Sequence, residues 1–304
     1  MWPFFRDPGI GLHRHLLGAM LALAAVLFGI LSSGLHRSLS EQKQAVGGHT
    51  LISLEQALAL AYCGKYGYLG PSSLEAGFLD PTKSITSSIE EKHGTVQNWC
   101  NAPHKKILNN ENSSFLLFSA LLSLPFTDNF RMIAIEVVSF EAILLFLTFY
   151  VLALNGISLV PLAFIGFVAG TMINYSQQVY GNLLQPYPIM SIVLLATSAL
   201  LMVLFQALRF RAVWVLALSA IVVGFTFGFV YNLRTAYGFV VAGQFLAALI
   251  AAAIYLRAMP AKLARYGLTV AGVIVGFLVF EAGLILPLHK DQSSSNYSYH
   301  TVSG

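Results

Sequence analysis

The chain has 304 residues, of which 57% are hydrophobic and only 10% charged, with a mean hydropathy of +0.72 and a formal net charge of +4. Soluble domains carry about 25% charged residues, so no soluble fold absorbs this much apolar surface, and the chain reads as an integral membrane protein. The net charge rests on too few residues to imply a nucleic-acid partner; its distribution bears on topology instead.

In chain order, residues 1–15 form a short polar arm in which His13 and His15 flank Arg14. Seven apolar segments of about 17–22 residues follow, long enough to cross the hydrocarbon. They lie near 16–33, 132–153, 157–173, 188–207, 212–231, 237–256 and 267–288. The first could pass for a signal sequence, with Ser32-Ser33-Gly34 at its end, but its apolar stretch is long for a signal core. A shorter apolar run, 115–126, closes at Pro125 and suits a re-entrant or interfacial helix better than a span.

Between the first span and all the others lies one long hydrophilic insert, 34–130. Leu51, Leu54, Leu58, Ala61 and Tyr62 recur at helical spacing with Glu55 close to the apolar stripe, and Gly64 and Gly67 stop the pattern. Pro71 to Asn98 is rich in Ser, Thr, Gly and charge and reads as an irregular lobe. A second amphipathic stretch, 107–126, is expected to lie along the membrane surface. Beyond it the links are short. Asn155-Gly156 is a tight-turn signal, and one connection, 174–187, is distinctive: polar, amide-rich and aromatic, with Gln178 and Tyr180.

The basic residues set the orientation. With the N-terminus cytoplasmic and 115–126 not crossing, Arg6, Arg14, Arg209, Arg211, Arg257, Lys262 and Arg265 all lie inside. Long translocated loops are largely exempt from that rule. The expectation is an all-α polytopic protein: one membrane domain over 1–304, about seven transmembrane helices, and a large first exterior loop containing surface-lying amphipathic helices. The polar tail, 289–304, also falls outside. Cys63 and Cys100 share the exterior loop, where an oxidising compartment favours a disulfide closing a 37-residue excursion.

Three acids fall within predicted spans: Glu136, Glu141 and Glu281. An ionisable group in the bilayer is costly and usually faces the bundle interior. These acids either line an outward-opening polar cavity under the loop or hold helices together as paired carboxyls. Arg234 ends the glycine-containing run Gly224 to Leu233; its guanidinium either binds a lipid phosphate or anchors at the interface. His49, His93 and His104 lack partner spacing and read as surface residues. Nucleotide-binding loops, Gly-x-Ser-x-Gly and His-Glu-x-x-His are absent.

Ser53-Leu54-Glu55-Gln56-Ala57-Leu58-Ala59-Leu60-Ala61 with Gly64-Lys65-Tyr66-Gly67, Leu121 to Arg131, and Gly224 to Arg234 together resemble the GT-C superfamily of integral-membrane glycosyltransferases. Those enzymes take sugars from polyprenyl-phosphate donors, and the resemblance, though loose, covers nearly the whole chain. It implies seven spans with the N-terminus inside, a large first exterior loop, and a catalytic acid shortly after the first span. Glu55 stands there. The family's acid is commonly Asp and often paired, whereas Glu55 is followed by Gln56, so Glu75 and Asp80 are alternatives. The resemblance further implies transfer of a hexose or pentose at the exterior face of a plasma or inner membrane, with inversion. Arg234, Glu136, Glu281, Gln178 and Tyr180 are the candidate substrate-binding residues, and a divalent metal is compatible with the chemistry. Because the family usually continues past seven spans, the tail is expected to end either a fragment or a minimal module. Two further classes stay open: a transporter or flippase using Glu136, Glu141 and Glu281 as a path, and a non-enzymatic assembly subunit.

Overall fold

The computed structural model describes residues 12–37, 50–64, 68–69, 83–102, 105–106, 112–124, 127–180, 186–210, 213–233, 235–256 and 263–287. Among them the chain is helical apart from one short ribbon. The helices are α1 (Leu12–Ser32), α2 (Thr50–Cys63), α3 (Ile85–His93), α4 (Val96–Asn101), α5 (Asn112–Leu122) and α6 (Phe130–Leu154). They continue with α7 (Leu159–Tyr180), α8 (Pro186–Phe210), α9 (Val213–Leu233), α10 (Thr235–Leu256) and α11 (Leu263–Phe280), which a π-helical turn, Glu281–Ile285, extends. The ribbon pairs β1 (Tyr68–Leu69) with β2 (Lys105–Lys106), antiparallel.

Each of the seven expected apolar segments falls in a helix of 18–25 residues. Among the described residues four helices are long and apolar enough to cross a membrane: α1, α6, α9, and α11 with its π turn. Their surfaces are inverted relative to a soluble protein. On α1 the small residues Gly18, Ala22, Ala25 and Gly29 are buried, while Leu12, Leu16, Met20, Leu27 and Leu31 are exposed. So continuous an apolar surface is stable only against lipid. The chain is an α-helical integral membrane protein.

The chain divides into two compact units. One comprises Met1–Gly29, Ala142–Val168 and Met190–Pro287. Its main packing is α9 against α11, made by glycines at four-residue spacing on both helices. A Cβ on Gly224 would overlap the Val273 carbonyl oxygen, and one on Gly276 the Ile221 carbonyl oxygen. Gly272 faces Ala220, and Gly228 faces the Phe280 ring. Lipid tails are as apolar as Leu, so association within the bilayer depends on such backbone approach rather than on hydrophobicity. Gly29 and Gly166 bring α1 and α7 together in the same way. The Asn155-Gly156 turn forms as expected: Gly156 has φ +88°, its N–H donates to Ala153 O, and the Ile157 N–H donates to Leu152 O. That pair of bonds satisfies the last carbonyls of α6.

The second unit comprises Ile30–Glu141, Ala169–Ile189 and Leu288–Gly304. Here α2 packs along α5, with Leu54, Ala57, Leu58, Phe115 and Phe118 all buried. Gly64, at φ +62°, ends α2 as the sequence implies. The Cys63–Cys100 disulfide is formed and ties the end of α2 to α4. Two differences from expectation follow. The irregular lobe expected up to Asn98 contains α3 and α4. Ser84 caps α3 by accepting from Ser87 N, Thr95 caps α4 by accepting from Asn98 N, and Gly94 at φ +81° separates them. Only Ile85 and Ile89, one turn apart and fully buried, anchor α3; so short an apolar signal is easily lost among polar residues.

The second concerns the stretch 107–126, whose described part forms α5 and packs along α2. Its 11 residues span about 16 Å, too short to cross a bilayer. The lobe is joined to the start of α6. Ile85 N donates to Asp128 O, Ser84 pairs with Asn129 in an isolated bridge, and Asn129 Oδ1 caps α6 by accepting from Met132 N at 2.9 Å.

Candidate functional site

Glu55 lies in the middle of α2. The spacing suggests an amphipathic helix with one wet face, but every residue from Ser53 to Ala59 is buried. Ser53, Glu55 and Gln56 are enclosed together, with Glu55 only 3% exposed. Neighbouring helices, α5 most extensively, cover α2, so the face on which Glu55 falls does not decide its exposure. Removing a carboxyl and an amide from water costs several kcal/mol unless their polar atoms are satisfied. A helix packed by apolar contacts alone would carry Leu or Ala there; α2 instead encloses three polar side chains.

On α6, Glu136 Oε1 accepts from the Thr127 hydroxyl at 2.5 Å, and that hydroxyl lies 2.9 Å from Leu121 O. Its other oxygen is buried with no hydrogen-bond partner among the described residues. Glu136 thereby links the first turns of α6 to the chain entering it. Glu141 is fully buried, and neither of its oxygens has a partner among the described residues.

In the other unit, Glu281 is the first residue of the π turn. Its Oε1 accepts from Asn232 Nδ2 at 2.5 Å, and Asn232 Nδ2 also donates to Gly228 O at 3.0 Å. Asn232 has no role in the sequence reading, although an amide inside the apolar run Phe225 to Leu233 signals a polar partner, since a membrane helix leaves no water to supply one.

Gln178 and Tyr180 belong to the last turn of α7, which runs on to Tyr180 into the connection expected over 174–187. Nothing in 174–180 breaks a helix, and Asn174 Nδ2 donates to Ser33 O at 2.7 Å. The side chains of Gln178 and Tyr180 lie outside the described residues, as do Arg234, Glu75 and Asp80. The structure thus groups Glu55 with Ser53 and Gln56, Glu136 with Thr127, and Glu281 with Asn232. Among the described residues no group of three His, Cys, Asp or Glu forms a metal centre.

No family model matches the chain, and no similar curated protein or solved structure is found. What the fold and these residues define is a class: an α-helical membrane protein with a disulfide-tied helical lobe enclosing an acid, and further acids on its long apolar helices.

Proposed function

We propose that the protein is a membrane glycosyltransferase that transfers a sugar from a polyprenyl-phosphate donor to an acceptor at the exterior face. The observation that carries this reading is the burial of Glu55 beside Ser53 and Gln56 in a lobe fixed by the Cys63–Cys100 disulfide. A buried acid with polar neighbours is a departure from an apolar core, and such departures concentrate at functional sites. The resemblance to GT-C enzymes places their acid at the same point in the chain.

In this reading seven helices span the membrane, the N-terminus is cytoplasmic, and the lobe and the tail are exterior. The disulfide supports an oxidising compartment for the lobe. Glu55 is the base. The acceptor oxygen attacks the anomeric carbon, its proton passes to the Glu55 carboxylate, and the bond to the phosphate oxygen breaks to release polyprenyl phosphate. Arg234 stabilises the departing phosphate by paired charged hydrogen bonds.

The test uses membranes containing the full chain, supplied with radiolabelled polyprenyl-phosphate sugars and a cell-envelope acceptor fraction. Glu55→Gln keeps the side chain's size and removes its basicity. Product formation is expected to fall by about 10²-fold or more, with expression and the disulfide unchanged. Wild-type turnover in that variant would remove Glu55 as the base.

A second reading, transport, has its own observation: Glu141 is enclosed on a long apolar helix without a partner among the described residues. Solute flux that Glu141→Gln abolishes, with no sugar transfer by the wild type, would establish transport in place of transfer.

A further inference from the structure

Thr127 lies in the chain between α5 and α6. Its hydroxyl oxygen is 2.9 Å from Leu121 O, in the last turn of α5, and 2.5 Å from Glu136 Oε1 on α6. Both distances lie within the O–H···O range, but a hydroxyl has one hydrogen to donate. With the carboxyl ionised, that hydrogen goes to Glu136, and the hydroxyl and Leu121 oxygens face each other with no hydrogen between them. The bond that Leu121 O accepts from the Leu124 N–H at 3.0 Å does not relieve that contact. With the carboxyl protonated, both contacts are hydrogen bonds: Glu136 donates to Thr127, and Thr127 donates to Leu121 O.

The other carboxyl oxygen agrees with the second arrangement. Glu136 and Thr127 are each 9% exposed, and Glu136 Oε2 is buried with no hydrogen-bond partner among the described residues. An ionised carboxylate would leave part of its charge uncompensated on that atom, which costs more than burying a neutral carbonyl oxygen. The segments that meet here bring no cation to it. α5 has no charged residue, and the acid of α2 is Glu55. α3 is joined by its first residues, whereas its titratable groups, Glu90 to His93, lie at its other end. Asp128 and Arg131 are exposed, and Glu141, the next acid of α6, is itself buried.

We infer that Glu136 is a proton-binding site whose bound hydrogen fastens the end of α5 to α6 through Thr127. Loss of the proton draws the Thr127 hydrogen to the carboxylate and breaks the bond to Leu121 O, so the latch is held at lower pH and released as pH rises. Because α5 packs along α2, which carries Glu55, the proton bears on the lobe as well as on the span. The latch stands whether or not the protein transfers sugar.

The experiment uses the full chain in nanodiscs. Infrared spectra near neutral pH should show a protonated carboxylic acid band that Glu136→Gln removes and that Thr127→Val, which takes away its acceptor, shifts in frequency. Amide exchange over residues 121–127 then reads the latch. Glu136→Gln, whose amide N–H replaces the bound proton, should keep wild-type protection, and Glu136→Ala should lose about fivefold. As pH is raised, wild-type exchange should accelerate by about the same factor relative to Glu136→Gln, whose own rise reports only intrinsic exchange. An acid band that is identical in wild type, Glu136→Gln and Thr127→Val overturns the proton site. A ratio of wild-type to Glu136→Gln exchange that stays constant with pH overturns the latch.

Discussion

Breaking the Cys63–Cys100 bond tests whether the lobe is a rigid part of the protein or a tether. The bond joins residues 37 apart in sequence. In the chain-entropy account, a loop of that length removes about 13 cal/mol/K from the unfolded ensemble, or about 4 kcal/mol at 25 °C. Few domains have more than about 5–15 kcal/mol of stability in total, so a lobe with four short helices among the described residues stands to lose much of its own. Four kcal/mol corresponds to roughly a 10³-fold rise in the open population. The assay is amide hydrogen exchange of the full chain in detergent, comparing wild type with Cys63→Ser/Cys100→Ser. Exchange in α2 and α4 is expected to accelerate by up to that factor, since the bond ties those two helices. The α9–α11 pair, packed through its own glycines, should keep its protection. The reasoning fails if exchange in α2 and α4 changes by less than about tenfold, or if both thiols of unreduced wild type react with maleimide.

The glycine packing makes a paired prediction. Gly276→Val drives a side chain into the Ile221 carbonyl region and should cost about 1–3 kcal/mol or more, seen as a lower melting temperature and aggregation in detergent; Gly243→Ala on α10, where an added Cβ meets nothing within 4 Å, should be neutral or stabilising by up to about 1 kcal/mol. Asn129→Ala removes the cap of α6 and should destabilise by about 1 kcal/mol, with faster exchange in the first turn of that helix as its signature. Gly156→Ala forces a Cβ onto φ +88°, and its melting temperature should fall, whereas Gly267→Ala, with open space around it, should not lower it.

The long helices were legible because the bilayer demands about twenty apolar residues in a row and tolerates little else. Their ends were legible where chemistry punctuates them: Gly64 after α2, Asn155-Gly156 after α6. What stayed hidden is which faces meet. In water the packed face of a helix is its apolar face, but in lipid every face is apolar and the packed one is marked only by small size. Gly224, Gly228, Gly272 and Gly276 carried that information, yet hydropathy does not register it. Within the lobe the difficulty was different. The caps Ser84 and Thr95 are polar residues in a polar stretch, and α3 has little more than Ile85 and Ile89 to distinguish it from a loop. Periodicity set Glu55 close to the apolar stripe, but only the packing shows that α2 is covered broadly enough to bury it.

The same asymmetry determines which polar residues are informative. In the lobe, water can satisfy any exposed polar group, so Glu55 stands out only once its burial is known. On the long apolar helices no such alternative exists, and a single amide or carboxyl must find a protein partner or carry a cost of several kcal/mol. Asn232 and Glu281 lie 49 residues apart and meet through the glycine-lined contact of α9 with α11. Neither residue alone predicts the other. The glycines bring the helices close enough for a side chain as short as Asn to reach across, and the π turn starts where the carboxyl receives it. Moving either helix by one residue would turn Asn232 or Glu281 about 100° away from its partner. Gly228, whose carbonyl accepts the second Asn232 hydrogen, connects the close packing to the polar pair. Gly228→Ala, which places a Cβ 2.9 Å from the Phe280 ring, is therefore expected to disturb the Glu281 hydrogen bond as well as the helix contact. Its signature is a lower melting temperature together with faster amide exchange around Asn232 and Glu281; a loss of stability that leaves exchange at those residues unchanged would reduce Gly228 to a packing residue.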